Sequence, residues 1–244
     1  MLAACRLQTI GLTPTVLNRN TRRMRLTLYS NYVNSAGERV RIALGLKQID
    51  YDYVSVRQIG IDAYRRINPQ GLMPTLMVDG TPIAQATAIL EWLEESHPSP
   101  PLLPADPTLR ARVRGFAQYL VSEMHAIDVI RVRRFLAQGL GVDSDGVTQW
   151  QLHWFQTGFH ALEQVLADRE TQWPFCFGET PGWADLHLAP QVHKGISRFD
   201  VDMAAYPLIH WIYLACRDLP EFVAARPENQ PDWPGALIEP VIDW

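Results

Sequence analysis

Cysteine is scarce and scattered in this chain of 244 residues: Cys5, Cys176 and Cys216 form no Cys-x-x-Cys pair and no metal-ligand spacing. That excludes a disulfide framework and a zinc ribbon, and it reads as reduced thiols in a cytoplasmic protein. Long hydrophobic runs are missing as well. None approaches the roughly 18 residues that span a membrane. There is no Gly-rich phosphate loop, no metal motif and no basic stripe interleaved with aromatics, and the net charge is −4. Neither a nucleotide, a metal nor a nucleic acid is therefore indicated.

What is present begins with a leader. Residues 1–23 carry Arg6, Arg19, Arg22 and Arg23 and no acid, the charge pattern of a transit peptide. Met24 opens a strand directly and is the simpler start, so the leader is set aside. From there the signals alternate. Residues 24–30 read as a strand, 37–46 as a helix with Arg39, Arg41 and Lys47 as solvated charges, and 51–56 as a β-branched and aromatic strand. A short helix over 62–67 precedes Asn68-Pro69. Two short strands, 75–78 and 82–84, are split by Asp79-Gly80, a strong two-residue hairpin signal, and a helix over 86–95 closes the unit. The order is βαβ followed by ββα.

"SHPSPPLLPADP" (96–107) packs five prolines into twelve residues, which no helix or central strand tolerates, so it reads as a linker. Beyond it the pattern is helical throughout. Leu109, Val113, Phe116 and Leu120 recur at helical spacing, as do Phe155, Phe159, Leu162 and Leu166. These stripes are core. The division implied is a leader over 1–23, an α/β unit over 24–104 and an all-α bundle over 105–244.

The turn between the first strand and first helix, Asn34-Ser35-Ala36-Gly37, raises a chemical question. A strand, a polar turn and a helix N-terminus together prepare an anion site. With no phosphate loop and no cysteine there, the anion is not obvious. The residues alone also allow plain helix capping by Asn34 and Ser35.

The unit order, a proline before the third strand, the proline-rich linker and the helical second half together resemble the cytosolic glutathione transferases. The local wording is similar to the zeta-type branch, which includes maleylacetoacetate and maleylpyruvate isomerases. "RVRIALGLK" (39–47), "NPQGLMPTL" (68–76), "AILEWLEESHP" (88–98), "LLPADP" (102–107), "GFHALEQVL" (158–166), "ADLHLAPQV" (184–192) and "RFDVDMAAYPLI" (198–209) carry the likeness in collinear order. The fold it implies is a thioredoxin-like N-terminal domain followed by an all-α bundle.

On that resemblance the anion is the thiolate of glutathione, the implied cofactor. A helix N-terminus and a hydroxyl or amide donor would stabilise it. Each unit of thiol pKa depression corresponds to about 1.4 kcal/mol. The residues implied at the catalytic turn are Asn34, which stands where the family usually has serine, and Ser35, the retained hydroxyl. A cis peptide is expected at Met73-Pro74, with the Met73 backbone pairing to glutathione. Gln85 and Ala86 stand where Gln-Ser usually holds the γ-glutamyl carboxylate, and Ala86 removes that hydroxyl. His125, Arg131 and Arg198 are the implied substrate contacts. Val33 stands where the isomerases commonly have an arginine, and Val129 and Ile130 make the pocket less polar. Asp185, three residues after Gly182, resembles a helix-opening box of the family, a folding element.

Three functions follow: isomerisation of a maleyl-type dicarboxylate, transfer of glutathione to another electrophile such as a haloacid or epoxide, or a non-catalytic binding module on the same fold. A homodimer is implied by the resemblance alone.

Overall fold

The computed structural model describes residues 24–169 and 171–237; the leader over 1–23 lies outside them. Strand β1 (Leu26–Ser30) alternates buried and half-buried residues and sits inside a four-stranded sheet of order β2-β1-β3-β4. It pairs in parallel with β2 (Asp52–Ser55) and antiparallel with β3 (Thr75–Val78), which pairs antiparallel with the edge strand β4 (Thr81–Ala84). A parallel pair needs a crossover, supplied by helix α1 (Ser35–Leu46). Asp79 and Gly80 both have positive φ, 47° and 90°, the twist that a two-residue hairpin requires. Pro82 is tolerated because β4 has an open edge.

Between β2 and β3 the chain makes two short helices, α2 (Val56–Ile59) and α3 (Ile61–Arg65), separated by Gly60 at φ 82°. Helix α4 (Ala86–Ser96) follows β4 and closes the α/β half.

The remainder is helical. α5 (Pro107–Tyr119) runs into a π-helical turn (Leu120–His125), and α6 (Ile130–Arg134) runs into a second (Phe135–Gly139). The long α7 (Ser144–Ala167), α8 (Trp183–Phe199), α9 (Pro207–Arg217) and the short α10 (Pro220–Ala225) complete the bundle. Val113, Phe116 and Leu120 are buried with Phe155, Phe159, Leu162 and Leu166, whereas Leu109 packs at the core's margin. Full burial of each such side chain is worth about 1.5–3 kcal/mol.

One expectation fails at α1. Arg39, Arg41 and Lys47 are not solvated; all three are buried. The helix is covered on several sides, by α4, α8 and α10. Arg41 turns its guanidinium onto the carbonyl of Ala225, at 2.8 and 3.0 Å, and so satisfies the end of α10. Lys47 pairs with Glu94 at 2.9 Å and donates to the carbonyls of His97 and Pro100. Glu94 in turn accepts from the backbone N–H of Leu102 and Leu103. A buried ion pair thereby fastens the proline-rich connection to α1 and α4. At the start of α8 the Asp185 carboxylate accepts from Gly182 N–H (2.9 Å) and Cys176 N–H (2.8 Å), and burial pushes its pKa up.

Candidate active site

Asn34 ends the turn after β1 in an extended conformation and caps α1: its Oδ1 accepts from Gly37 N–H at 3.0 Å. Its Nδ2 donates to Ser30 Oγ at 3.3 Å. A Cβ on Gly37 would lie 2.2 Å from that Ser30 oxygen, so only glycine lets the helix start this close to the strand end. Asn34 is thus engaged at both ends of its amide. Ser35, the first residue of α1, is placed differently: its Oγ lies 3.2 Å from Nδ1 of His125, which closes the first π-helical turn. Burial, then the charges of Arg39 and Lys194, hold His125 well below the usual imidazole pKa. It is therefore neutral at physiological pH. In the tautomer with Nδ1–H it donates to Ser35 Oγ and leaves the serine O–H free for a third group.

This turn borders a cavity of about 350 Å³, within the range of small-ligand sites. Val33, Asn34, Ser35 and Glu38 line it from the α1 side, Gly71 to Met73 from the loop before β3, and His125, Asp128, Val129, Ile130 and Arg133 from the bundle. Helix α8 contributes Pro190, His193, Lys194, Ser197 and Arg198. The C-terminal stretch contributes Pro227, Glu228, Trp233 and Leu237. Asp232 fixes that stretch by accepting from Tyr32 N–H (3.2 Å), Ser55 Oγ–H (2.8 Å) and Tyr53 O–H (2.9 Å), and Trp233 packs edge-on against Tyr32.

Of the residues implied by the sequence, Asn34, Ser35, Met73, His125 and Arg198 meet at this cavity. Met73-Pro74 is cis, and Met73 lies outside the paired register of β3, which begins at Thr75. Gln85 and Ala86 lie beside the cavity's margin rather than on its wall, at the start of α4. Gln85 adopts φ 72° and donates to Gln70 Oε1 at 2.7 Å. Such left-handed strain in a non-glycine residue costs about 1–3 kcal/mol and clusters at ligand clamps. Arg131 does not reach the cavity. It is exposed and lines a separate shallow depression with Arg134 and Phe135, while Arg133, two residues on, borders the cavity instead.

The cavity residues not read from the sequence include the titratable Glu38, Arg133, His193 and Lys194. The helical repeat would have indicated two of them, since Glu38 is four residues after Asn34 and Lys194 four before Arg198. Lys194 is half-buried beside Phe155 and Phe199 and ion-paired with Asp128, which also accepts from Gln151. Arg133 and Arg198 also line the cavity. Burial lowers the pKa of His193, whose Nδ1 lies 3.2 Å from Tyr213 Oη.

Residues 27–101 match the family model "Glutathione S-transferase, N-terminal domain". The maleylpyruvate isomerase of a Ralstonia species is 39% identical over 212 residues, covering 85% of this chain and 99% of the relative. The chain belongs to the zeta-class glutathione transferases. The solved structure of a maleylpyruvate isomerase, a bacterial zeta-class enzyme, superposes with a TM-score of 0.81 at 38% identity over 84% of this chain and 99% of that one. A maleylacetoacetate isomerase from Methylobacterium extorquens AM1, solved with malonate and glutathione bound, matches with a TM-score of 0.79 at 37% identity over 85% and 99%.

The residues of this zeta-class chain fit glutathione. The N-terminus of α1 offers partial positive charge and a serine hydroxyl where a sulfur anion would gain most. Met73 offers unladdered backbone at the adjoining edge of the sheet, and the first turn of α4, opened by the strained Gln85, offers backbone N–H groups to a carboxylate.

Proposed function

We propose that this chain catalyses the glutathione-dependent cis–trans isomerisation of a maleyl-type dicarboxylate, with Ser35 as the thiolate donor. The observation that carries this reading is the Ser35–His125 hydrogen bond at a cavity that Arg133 and Arg198 also line. Bound glutathione supplies a thiolate that adds reversibly to the substrate double bond, so that rotation about that bond becomes possible before elimination.

The protein's own part is placement and charge. The Ser35 O–H donates to the sulfur, His125 Nδ1–H holds that hydroxyl in orientation, and the α1 N-terminus adds its dipole. Guanidinium groups bind carboxylates as rigid forks, and Arg133 and Arg198 line the cavity where Val33 offers no cation. Trp233 and Leu72 add apolar lining to the cavity. Met73, Gln85 and Ala86 hold the glutathione backbone and its γ-glutamyl end. We further propose a cytoplasmic homodimer; among the described residues no helix is long and apolar enough to cross a membrane.

The test uses maleylpyruvate or maleylacetoacetate in large excess over glutathione. The expected result is full conversion to the trans isomer with the glutathione recovered unchanged. Consumption of one glutathione per turnover of a haloacid or epoxide, with no isomerisation, would favour the transferase reading. If neither occurs, the chain is a binding module.

A further inference from the structure

The chain that follows α10 is fastened at two points before it joins the cavity wall. Its base is held by Gln230, which is buried and donates from Nε2 to the carbonyls of Ala224 and Arg226, both at 2.8 Å. Its end is held by Asp232, whose carboxylate accepts from Tyr32 N–H (3.2 Å), Tyr53 O–H (2.9 Å) and Ser55 Oγ–H (2.8 Å). Tyr53 and Ser55 belong to β2, and Tyr32 to the turn after β1. These donors lie between 177 and 200 residues away along the chain, so the anchor is a tertiary one and not a local turn. Three directional bonds on one carboxylate fix position as well as proximity.

Trp233 is the next residue. Its backbone N–H donates to the Gln230 carbonyl at 3.0 Å, and its ring meets the buried Tyr32 edge-on, with centroids 5.2 Å apart and planes at 81°. Tyr32 stands three residues before Ser35, and Trp233, Asn34 and Ser35 line the same cavity. The indole is therefore tied to the turn that carries Ser35. It is held by its own backbone on one side and by an edge-to-face aromatic contact on the other. Moving the ring aside for a larger ligand would break that contact or pull on the Asp232 anchor.

We propose that Trp233 is a specificity-determining residue of this site, with Asp232 as its positioning residue: the fixed indole admits a compact dicarboxylate and rejects one that carries a bulky substituent between its carboxylates. This rests on the dicarboxylate reading above and adds the residue that limits the width of the substrate. A wall held in place discriminates by steric exclusion. A wall that was merely apolar would do the reverse, because a larger apolar ligand buries more surface against it and binds better. The two cases differ in sign, so trimming the indole separates them.

The probes are malonate and benzylmalonate, which differ by a benzyl group on the carbon between the carboxylates. Each is titrated calorimetrically into the glutathione-loaded full chain. Trp233→Ala is expected to improve benzylmalonate relative to malonate by about tenfold or more, the scale of steric discrimination in a packed pocket, with Trp233→Phe in between. Asp232→Ala is expected to move the ratio in the same direction. Asp232→Asn keeps an acceptor for the Tyr32 N–H and should restore most of the wild-type ratio. A variant that is only less stable weakens both ligands together and leaves the ratio where it was. An unchanged ratio in Trp233→Ala, or benzylmalonate weakened by that change, would overturn the proposal and leave the dicarboxylate reading standing. An unchanged ratio in Asp232→Ala alone would remove its positioning role. If malonate does not bind the wild-type protein, the dicarboxylate reading itself fails and this proposal with it.

Discussion

Replacing Ser35 with alanine is expected to lower kcat for isomerisation by about 10²–10³-fold, the usual effect of deleting one preorganised donor to a developing anion. The same change is expected to leave stability nearly untouched, because Ser35 does not cap α1. Asn34→Ala should behave in the opposite way. Asn34 accepts from Gly37 N–H and donates to Ser30, so its loss costs about 1 kcal/mol of stability through the missing cap. Its effect on kcat should be much the smaller. His125→Phe removes the group that orients the serine hydroxyl and should move kcat in the same direction as Ser35→Ala, with KM for glutathione little changed. Steady-state kinetics and urea unfolding of the three variants separate these roles. Full activity in Ser35→Ala with collapse in Asn34→Ala would assign the donor to the amide.

The largest stability effect is expected at the connection between the two halves. Lys47 and Glu94 pair at 2.9 Å with side chains 0% and 4% exposed. Removing one partner of a buried pair costs about 3–5 kcal/mol, because the other charge stays desolvated. Glu94→Ala also strands the N–H groups of Leu102 and Leu103, so it should lie at the upper end of that range and lower the urea midpoint accordingly. Lys47→Met should cost less, since Glu94 keeps its two backbone donors. The double variant Lys47→Met, Glu94→Leu should recover part of the loss. An additive double variant would mean that the pair is not coupled. Because this network fixes the start of the bundle against α1, Glu94→Ala should also raise KM for substrate by displacing α8.

The α/β half was legible because its signals are local. The Asp79-Gly80 hairpin, the strand over 75–78 and the short helix before Asn68-Pro69 depend on turn chemistry a few residues long, whereas α2 (Val56–Ile59) was missed and its first residue was read into the preceding strand. The core stripes of α7 were legible for a similar reason, because one uninterrupted helix keeps its period over 24 residues. The charges of α1 were not, since a helix covered on several sides buries arginine and lysine by giving each a carbonyl or a carboxylate from elsewhere in the chain. No window of sequence contains Ala225 and Arg41 together.

The site was partly legible for the same physical reasons. Asn34, Ser35 and Met73 each sit close to a turn, and they meet at the cavity. Arg131 does not line the cavity, whereas Arg133, two residues on in the five-residue α6, does. Glu38 lies beside Arg39 on α1, and its one sequence signal was the helical repeat from Asn34, four residues earlier.

The most direct test of the whole account is a pH titration of thiolate absorbance with glutathione bound to wild-type protein and to Ser35→Ala. The account predicts a saturable thiolate signal with a midpoint well below that of a free thiol, about 8.5, and a shift of that midpoint back upward in Ser35→Ala. A bound glutathione whose thiol titrates like the free one in the wild type would contradict it.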